Sequence, residues 1–156
     1  MAKNKIKFLT LDVDGVLTDG GVYVTENGDI AKKFNVKDGA GIRRAIKSGI
    51  TVGFISAGKS KKLLNARAKM LGVKHVYAGD EEKVLILAEW CKKLKINFNE
   101  VAHIADDTND LNILSKVGVS ACPADAVKEV KAIAKIHLKA KGGDGCVREF
   151  IDNYLL

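Results

Sequence analysis

The sequence predicts an α/β fold: a Rossmann-like three-layer sandwich with a central parallel sheet and a small β-hairpin inserted after the first strand. Three observations carry this. Short continuous apolar runs, Phe8–Leu11, Ile50–Ile55 and Val101–Ala105, alternate with amphipathic helical stretches. That is the pattern of strands covered on both faces by crossover helices. Each of these runs ends in polar residues, at the strand ends where parallel sheets place their ligands. Early in the chain, Asn27-Gly28 separates two short apolar segments, a strong hairpin signal.

Taken in order, the strand Phe8–Leu11 runs into Asp12 and Asp14. In extended backbone, positions two apart project to one side. Two carboxylates there repel each other unless a cation or a proton lies between them. The pair therefore points to a metal site or an acid/base pair, and the plainer alternative is an Asp/Gly-rich turn with side chains capping local amides. Gly15 lets the chain leave the strand sharply. Val22–Thr25 and Ile30–Phe34 are the expected hairpin strands. A helix opens within Lys37–Gly41 with Asp38 as N-cap, shows Ile42, Ala45 and Ile46 on one face, and stops at Gly49. The strand Ile50–Ile55 leads to Ser56, and a basic helix over Lys61–Leu71 closes at Gly72. Val73–Tyr77 is a short strand, followed by a helix over Glu81–Leu94. Val101–Ala105 is the next strand, then a helix over Asn109–Lys116 and a strand over Val119–Cys122. Pro123-Ala124-Asp125 opens a helix over Ala126–Ala134, and Ile136–Leu138 is a last strand. The tail is a glycine-rich loop followed by a helix from about Cys146.

A length of 156 residues, 47% of them hydrophobic, predicts one domain spanning 1–156 with a core that needs no staples. The net charge of +7 suits an anionic partner. The lysines are spread along expected helix faces and no aromatics interleave with them, which argues against a nucleic-acid surface. Cys91, Cys122 and Cys146 are odd in number and form no CxxC pair, so neither a disulfide framework nor a zinc ribbon is expected. No apolar run is long enough to span a membrane, and MAKNKIKF lacks the apolar region of a signal peptide. A cytoplasmic location is the expectation.

In a parallel sheet the strand ends would gather Asp12 and Asp14, Ser56, and Asp106, Asp107 and Asp110 along one edge. Lys83 sits in the first turn of its helix, where the dipole disfavours a cation. An anion must compensate, and Asp106 and Asp110 are the candidates. This set suits phosphoryl transfer. Carboxylates from two strand ends hold Mg²⁺, a carboxylate attacks phosphorus, and a second one moves the leaving-group proton. A hydroxyl and a lysine hold the phosphoryl oxygens.

DVDGVLTDG, the Ser56 strand end, Lys83 and DDTND resemble the four motifs of the haloacid dehalogenase superfamily of phosphatases, over nearly the whole chain. The hairpin GVYVTENGDIAKKFNVKDGAGI and the tail GGDGCVREF resemble the small capless phosphatases of 3-deoxy-ulosonate sugar biosynthesis. The resemblance implies Asp12 as nucleophile and Mg²⁺ ligand. It implies Asp14 as general acid/base with its backbone carbonyl on the metal, and Asp106 as the second carboxylate ligand. It makes Ser56 and Ala57 phosphoryl-binding, Lys83 a charge-neutralising catalytic residue, and Asp110 a support for the metal water or for Lys83. Asp107 is expected to be a solvated or capping residue. A homotetramer built on the hairpin is implied, with the glycine-rich tail (Gly142, Gly143, Gly145 and Arg148) reaching a neighbouring site. Gly143 and Arg148 are then substrate-binding, Arg148 toward a carboxylate.

The chain departs from this family at two places. Ala105 stands where glycine is usual. After Ser56 and Ala57 come Gly58 and Lys59, whereas the octulosonate enzymes tend to carry Gly-Arg and the nine-carbon enzymes Gly-Glu. Lys59 replaces the cation from one position along or is a solvated loop lysine. The expected substrate is 3-deoxy-D-manno-octulosonate 8-phosphate, on the way to lipopolysaccharide. A 2-keto-3-deoxynonulosonate 9-phosphate is the runner-up, and a non-catalytic binding relative is the rival from another class.

Overall fold

The computed structural model describes residues 5–156. A six-stranded, all-parallel sheet has the order β5-β4-β1-β6-β7-β8. Its strands are β1 (Phe8–Leu11), β4 (Thr51–Ser56), β5 (His75–Ala78), β6 (Val101–Ile104), β7 (Val119–Cys122) and β8 (Ile136–His137). The chain moves outward from β1 to one side and then returns to build the other. The order therefore reverses beside β1, the point where such sheets open a crevice.

The helices are α1 (Val36–Lys47), α2 (Lys61–Leu71), α3 (Lys83–Leu94), α4 (Leu111–Leu114), α5 (Lys128–Ile133) and α6 (Cys146–Phe150). Alternation along each strand divides the core. Leu9, Leu11, Val52, Phe54 and Ile104 face α1, α2 and α6, whereas Phe8, Ile55 and Val101 face the side carrying α3 and α4. Two short strands, β2 (Tyr23–Val24) and β3 (Ile30–Ala31), form a separate antiparallel hairpin. Both are exposed along their length.

Several boundaries differ from expectation for local reasons. Asn35, not Asp38, caps α1, its side chain accepting from the Lys37 and Asp38 amides. Asp38 is buried in the first turn and accepts from the Arg148 N–H at 2.9 Å, holding the start of α6. The helix expected over Asn109–Lys116 is a 3-10 turn, Thr108–Asp110, leading into the four residues of α4. Asp107 caps that turn through the Thr108 N–H, 2.7 Å away. The tail is part of the core: Cys146, Val147, Phe150 and Ile151 are all buried.

Candidate active site

The C-terminal edge of the sheet opens into a cleft of about 420 Å³ lined by Asp12, Asp14, Ser56, Ala57, Gly58 and Asp106, with Asp19 and Asp125 on its rim. A larger cavity of about 600 Å³ lies at the opposite edge, among Ile6, Ile50, Ile136 and Tyr154. Among the described residues it gathers no carboxylate side chains, and the smaller cleft is the candidate site.

Asp12 continues β1, its N–H donating to the Ile104 carbonyl at 3.0 Å. This places the carboxylate where β1 and β6 separate. The chain then winds through a tight turn over Val13–Leu17, in which Gly15 takes φ +86°. A Cβ at Gly15 would come within 1.9 Å of Asp106 Oδ2. The glycine is required both for the backbone conformation and for the approach of the second carboxylate.

Lys83 is the first residue of α3 and is buried. Its ammonium lies 2.7 Å from Asp12 Oδ1 and 2.8 Å from Asp110 Oδ2. Burial works against the charged lysine, but Asp12 and Asp110 outweigh it and hold its pKa above the ordinary value. The anion that makes a lysine acceptable at this helix start is therefore the pair Asp12 and Asp110, and Asp106 takes no part. Burial, with the charge of Asp110 added, pushes Asp12 upward. Burial also opposes ionisation of Asp110, but the His103 hydrogen bond and Lys83 prevail and lower its pKa.

Asp106 has one buried oxygen, Oδ1, without a hydrogen-bond partner among the described residues. Burial and the facing Asp12 carboxylate push its pKa up to about 8. An unmet carboxylate oxygen beside a second carboxylate fits a hard divalent cation in place of the proton. Asp12 and Asp106 are the carboxylates that would hold it, and the family resemblance adds the Asp14 backbone carbonyl. Two carboxylates and a carbonyl leave positions for water, the habit of Mg²⁺.

Ser56 ends β4, and its Oγ accepts from the Gly58 N–H at 3.0 Å. The hydroxyl thus shapes the loop at the cleft. Asp14 projects from the turn and pairs with Lys32, which follows β3, at 2.6 Å. Lys59 is exposed and lies outside the cleft lining.

The structure does not bring Gly143 and Arg148 to the cleft of their own chain. Gly142 and Gly143 lie against the back of the Gly15–Asp19 turn. The Gly142 N–H donates to Asp125 Oδ1 and the Gly143 N–H to the Val16 carbonyl, each at 3.0 Å. A Cβ at Gly142 would meet the Gly15 carbonyl at 1.8 Å. Arg148 pairs through Nε with Asp152 at 2.6 Å. The tail braces the Val13–Leu17 turn from behind.

Sequence reasoning missed Lys32, His103, Thr10 and Asp125. Each is an isolated polar residue in a strand, hairpin or loop with no local spacing to mark it. The one available signal was a histidine inside the apolar run Val101–Ala105.

The haloacid dehalogenase-like hydrolase family matches residues 60–150. The 3-deoxy-D-manno-octulosonate 8-phosphate phosphatase KdsC of Shigella flexneri is 42% identical over 157 aligned positions, which cover 100% of this chain and 83% of that protein. The crystal structure of the 3-deoxy-D-manno-octulosonate 8-phosphate phosphatase from Yersinia pestis superposes with a TM-score of 0.93 at 40% identity, over 97% of this chain and 80% of that one. The Moraxella catarrhalis phosphatase of the same name, solved in complex with magnesium, phosphate and KDO, gives 0.92 at 33% identity, over 97% of this chain and 86% of that one. On its strand-end carboxylates, its fold and these relatives, the chain belongs to the haloacid dehalogenase-like hydrolases.

Proposed function

We propose that this chain is a Mg²⁺-dependent phosphatase that hydrolyses 3-deoxy-D-manno-octulosonate 8-phosphate through a phosphorylated Asp12. The observation that carries the chemistry is the buried ammonium of Lys83 held on Asp12, with Asp106 facing the same carboxylate. The substrate rests on the names and bound molecules of the relatives.

Asp12 attacks phosphorus, forming the new O–P bond as the bond to the sugar oxygen breaks. Asp14 gives that oxygen its proton and then takes one from water, which attacks the phosphoryl group and returns Asp12 free. Lys83 lies beside the attacking carboxylate and offsets charge as it moves onto the phosphoryl oxygens. Ser56 and Ala57 receive those oxygens at the end of β4. Mg²⁺, when bound, supplies Lewis-acid stabilisation of the phosphoryl charge. Asp110 serves to hold Lys83.

A homotetramer built on the hairpin is the proposed assembly. Tyr23 and Val24 are each 66% exposed, and an isolated two-stranded hairpin needs a packing partner to be stable. Light scattering behind a sizing column measures the mass directly. Among the described residues no helix is long and apolar enough to cross a membrane. Three free, buried thiols suit a reducing cytoplasm.

The test is phosphate release from the eight-carbon and nine-carbon ulosonate phosphates, with Mg²⁺ and with EDTA, by wild type and Asp12→Asn. Mg²⁺-dependent release that favours the eight-carbon sugar, and that Asp12→Asn lowers at least about 10³-fold, is expected. A preference for the nine-carbon sugar moves the substrate assignment. No release from either, or from an aryl phosphate, leaves the fold as a binding module.

A further inference from the structure

Thr10 and His103 are register partners on the adjacent strands β1 and β6. Both are fully buried. Alternation turns both toward the face where Phe8 and Val101 pack with α3 and α4. A hydroxyl and an imidazole are costly in an apolar layer unless their polar atoms are satisfied. Here they satisfy one another, with Thr10 Oγ1 2.8 Å from His103 Nδ1. The same hydroxyl is further, 3.3 Å, from the Ala102 carbonyl. The other ring nitrogen, Nε2, lies 2.8 Å from Asp110 Oδ1. An ionised carboxylate only accepts, so Nε2 carries the proton and donates it. Nδ1 faces the Thr10 hydroxyl, which holds the ring from its other side.

Asp110 is enclosed as well, and gives its second oxygen to Lys83 at 2.8 Å. Lys83 in turn reaches Asp12 at 2.7 Å. Thr10, His103, Asp110, Lys83 and Asp12 form one continuous buried chain of hydrogen bonds from the strand pairing to the nucleophile.

We propose that His103, braced by Thr10, is a positioning residue for phosphoryl transfer: it occupies one oxygen of Asp110 so that only the other faces Lys83, which keeps the Lys83 ammonium on Asp12. This rests on the reading of Asp12 as nucleophile. Without the ring N–H, Asp110 Oδ1 would be a buried acceptor with no donor. The carboxylate relieves that by turning both oxygens onto Lys83, and the ammonium is drawn away from Asp12. The loss falls on turnover more than on substrate capture, because the cleft residues around Ser56 are untouched.

The test is a double-mutant cycle of His103→Phe and Asp110→Asn, read as kcat and KM for Mg²⁺-dependent phosphate release. Alone, His103→Phe lowers kcat by about 10- to 100-fold and leaves KM within about threefold. In the Asp110→Asn background it costs no more than about twofold, since both changes break the same chain. His103→Gln, whose amide offers a donor toward Asp110, recovers most of the loss. An equal loss in both backgrounds, or one that follows only the fraction folded, overturns the proposal. If His103→Phe does not fold, Thr10→Val removes the brace at constant volume. It lowers kcat by about three- to tenfold, and unchanged kcat overturns the proposal. A second readout needs neither metal nor turnover. Imidazole ¹⁵N spectra of the metal-free protein show His103 protonated at Nε2 and shifted by Thr10→Val. Protonation at Nδ1 alone overturns the geometry, whereas wild-type inactivity with the expected spectrum overturns the phosphatase reading and not the hydrogen-bond chain.

Discussion

Lys32 Nζ lies 2.6 Å from Asp14 Oδ1, and the lysine side chain is only 7% exposed although Asp14 is 40% exposed. The exposed hairpin is thereby tied to the turn that carries the proposed acid/base. The ion pair fixes which way the Asp14 carboxylate points, and proton transfer depends on that geometry.

Lys32→Met is therefore expected to lower kcat about tenfold or more by freeing Asp14. Lys32→Arg keeps the charge and loses less. Steady-state kinetics separate the two, and faster proteolytic cleavage near Asn27-Gly28 in Lys32→Met reports the loosened hairpin.

Gly15→Ala tests the carboxylate arrangement. The added methyl would meet Asp106 Oδ2 at 1.9 Å in a backbone already at φ +86°, so Asp106 or the turn must move. Calorimetric titration is expected to show Mg²⁺ affinity weakened by at least about tenfold, with activity falling in step. Wild-type affinity would remove Asp106 from the metal site.

Asp38 makes a prediction about pH. Burial raises its pKa above the usual 3.8, against the hydrogen bonds it accepts from α6. The folded state therefore binds the proton more tightly than the unfolded chain. Between 3.8 and the raised folded value this group's contribution to stability falls as pH rises, and above that value the penalty is complete. Asp38→Asn removes the penalty and keeps an acceptor for the Arg148 N–H. Melting temperatures measured from pH 4 upward should show the variant gaining on wild type as pH rises, by about 2–4 °C per kcal/mol. A constant difference across that range would contradict the assignment.

Phe150 is 1% exposed and packs in the cluster facing α1 and α2. Phe150→Ala should cost about 3–5 kcal/mol in urea unfolding. That is a large part of a typical domain's stability. Removing the tail is thus a folding lesion, and a truncation before Gly142 would not isolate its part in substrate binding.

Much of the site was legible because its residues sit where local pattern changes. Asp12, Asp14, Ser56, Asp106 and Asp110 each follow an apolar run, and Lys83 stands at a helix start that should repel it. The structure brings Asp12, Asp14, Ser56 and Asp106 to one cleft and sets Lys83 between Asp12 and Asp110. Asp38 was misread because its place near a helix start suits an N-cap. Asn35 occupies that role, and the demand that claims Asp38 comes from α6, 110 residues along the chain.

Sequence alone determined the alternation of strands and helices, the parallel sheet and the kinds of side chain at its edge. These depend on periodicity and on residues near one another in the chain. Only the tertiary structure decided that Asp110 rather than Asp106 balances Lys83, that His103 and Thr10 stand behind Asp110, that Lys32 reaches Asp14, and that the tail supports the Val13–Leu17 turn from within the core. Thr10 and His103 are 93 positions apart, and no local pattern encodes which buried donor meets which buried acceptor across adjacent strands. That choice is made when burial removes water as the alternative partner and each polar group must find another.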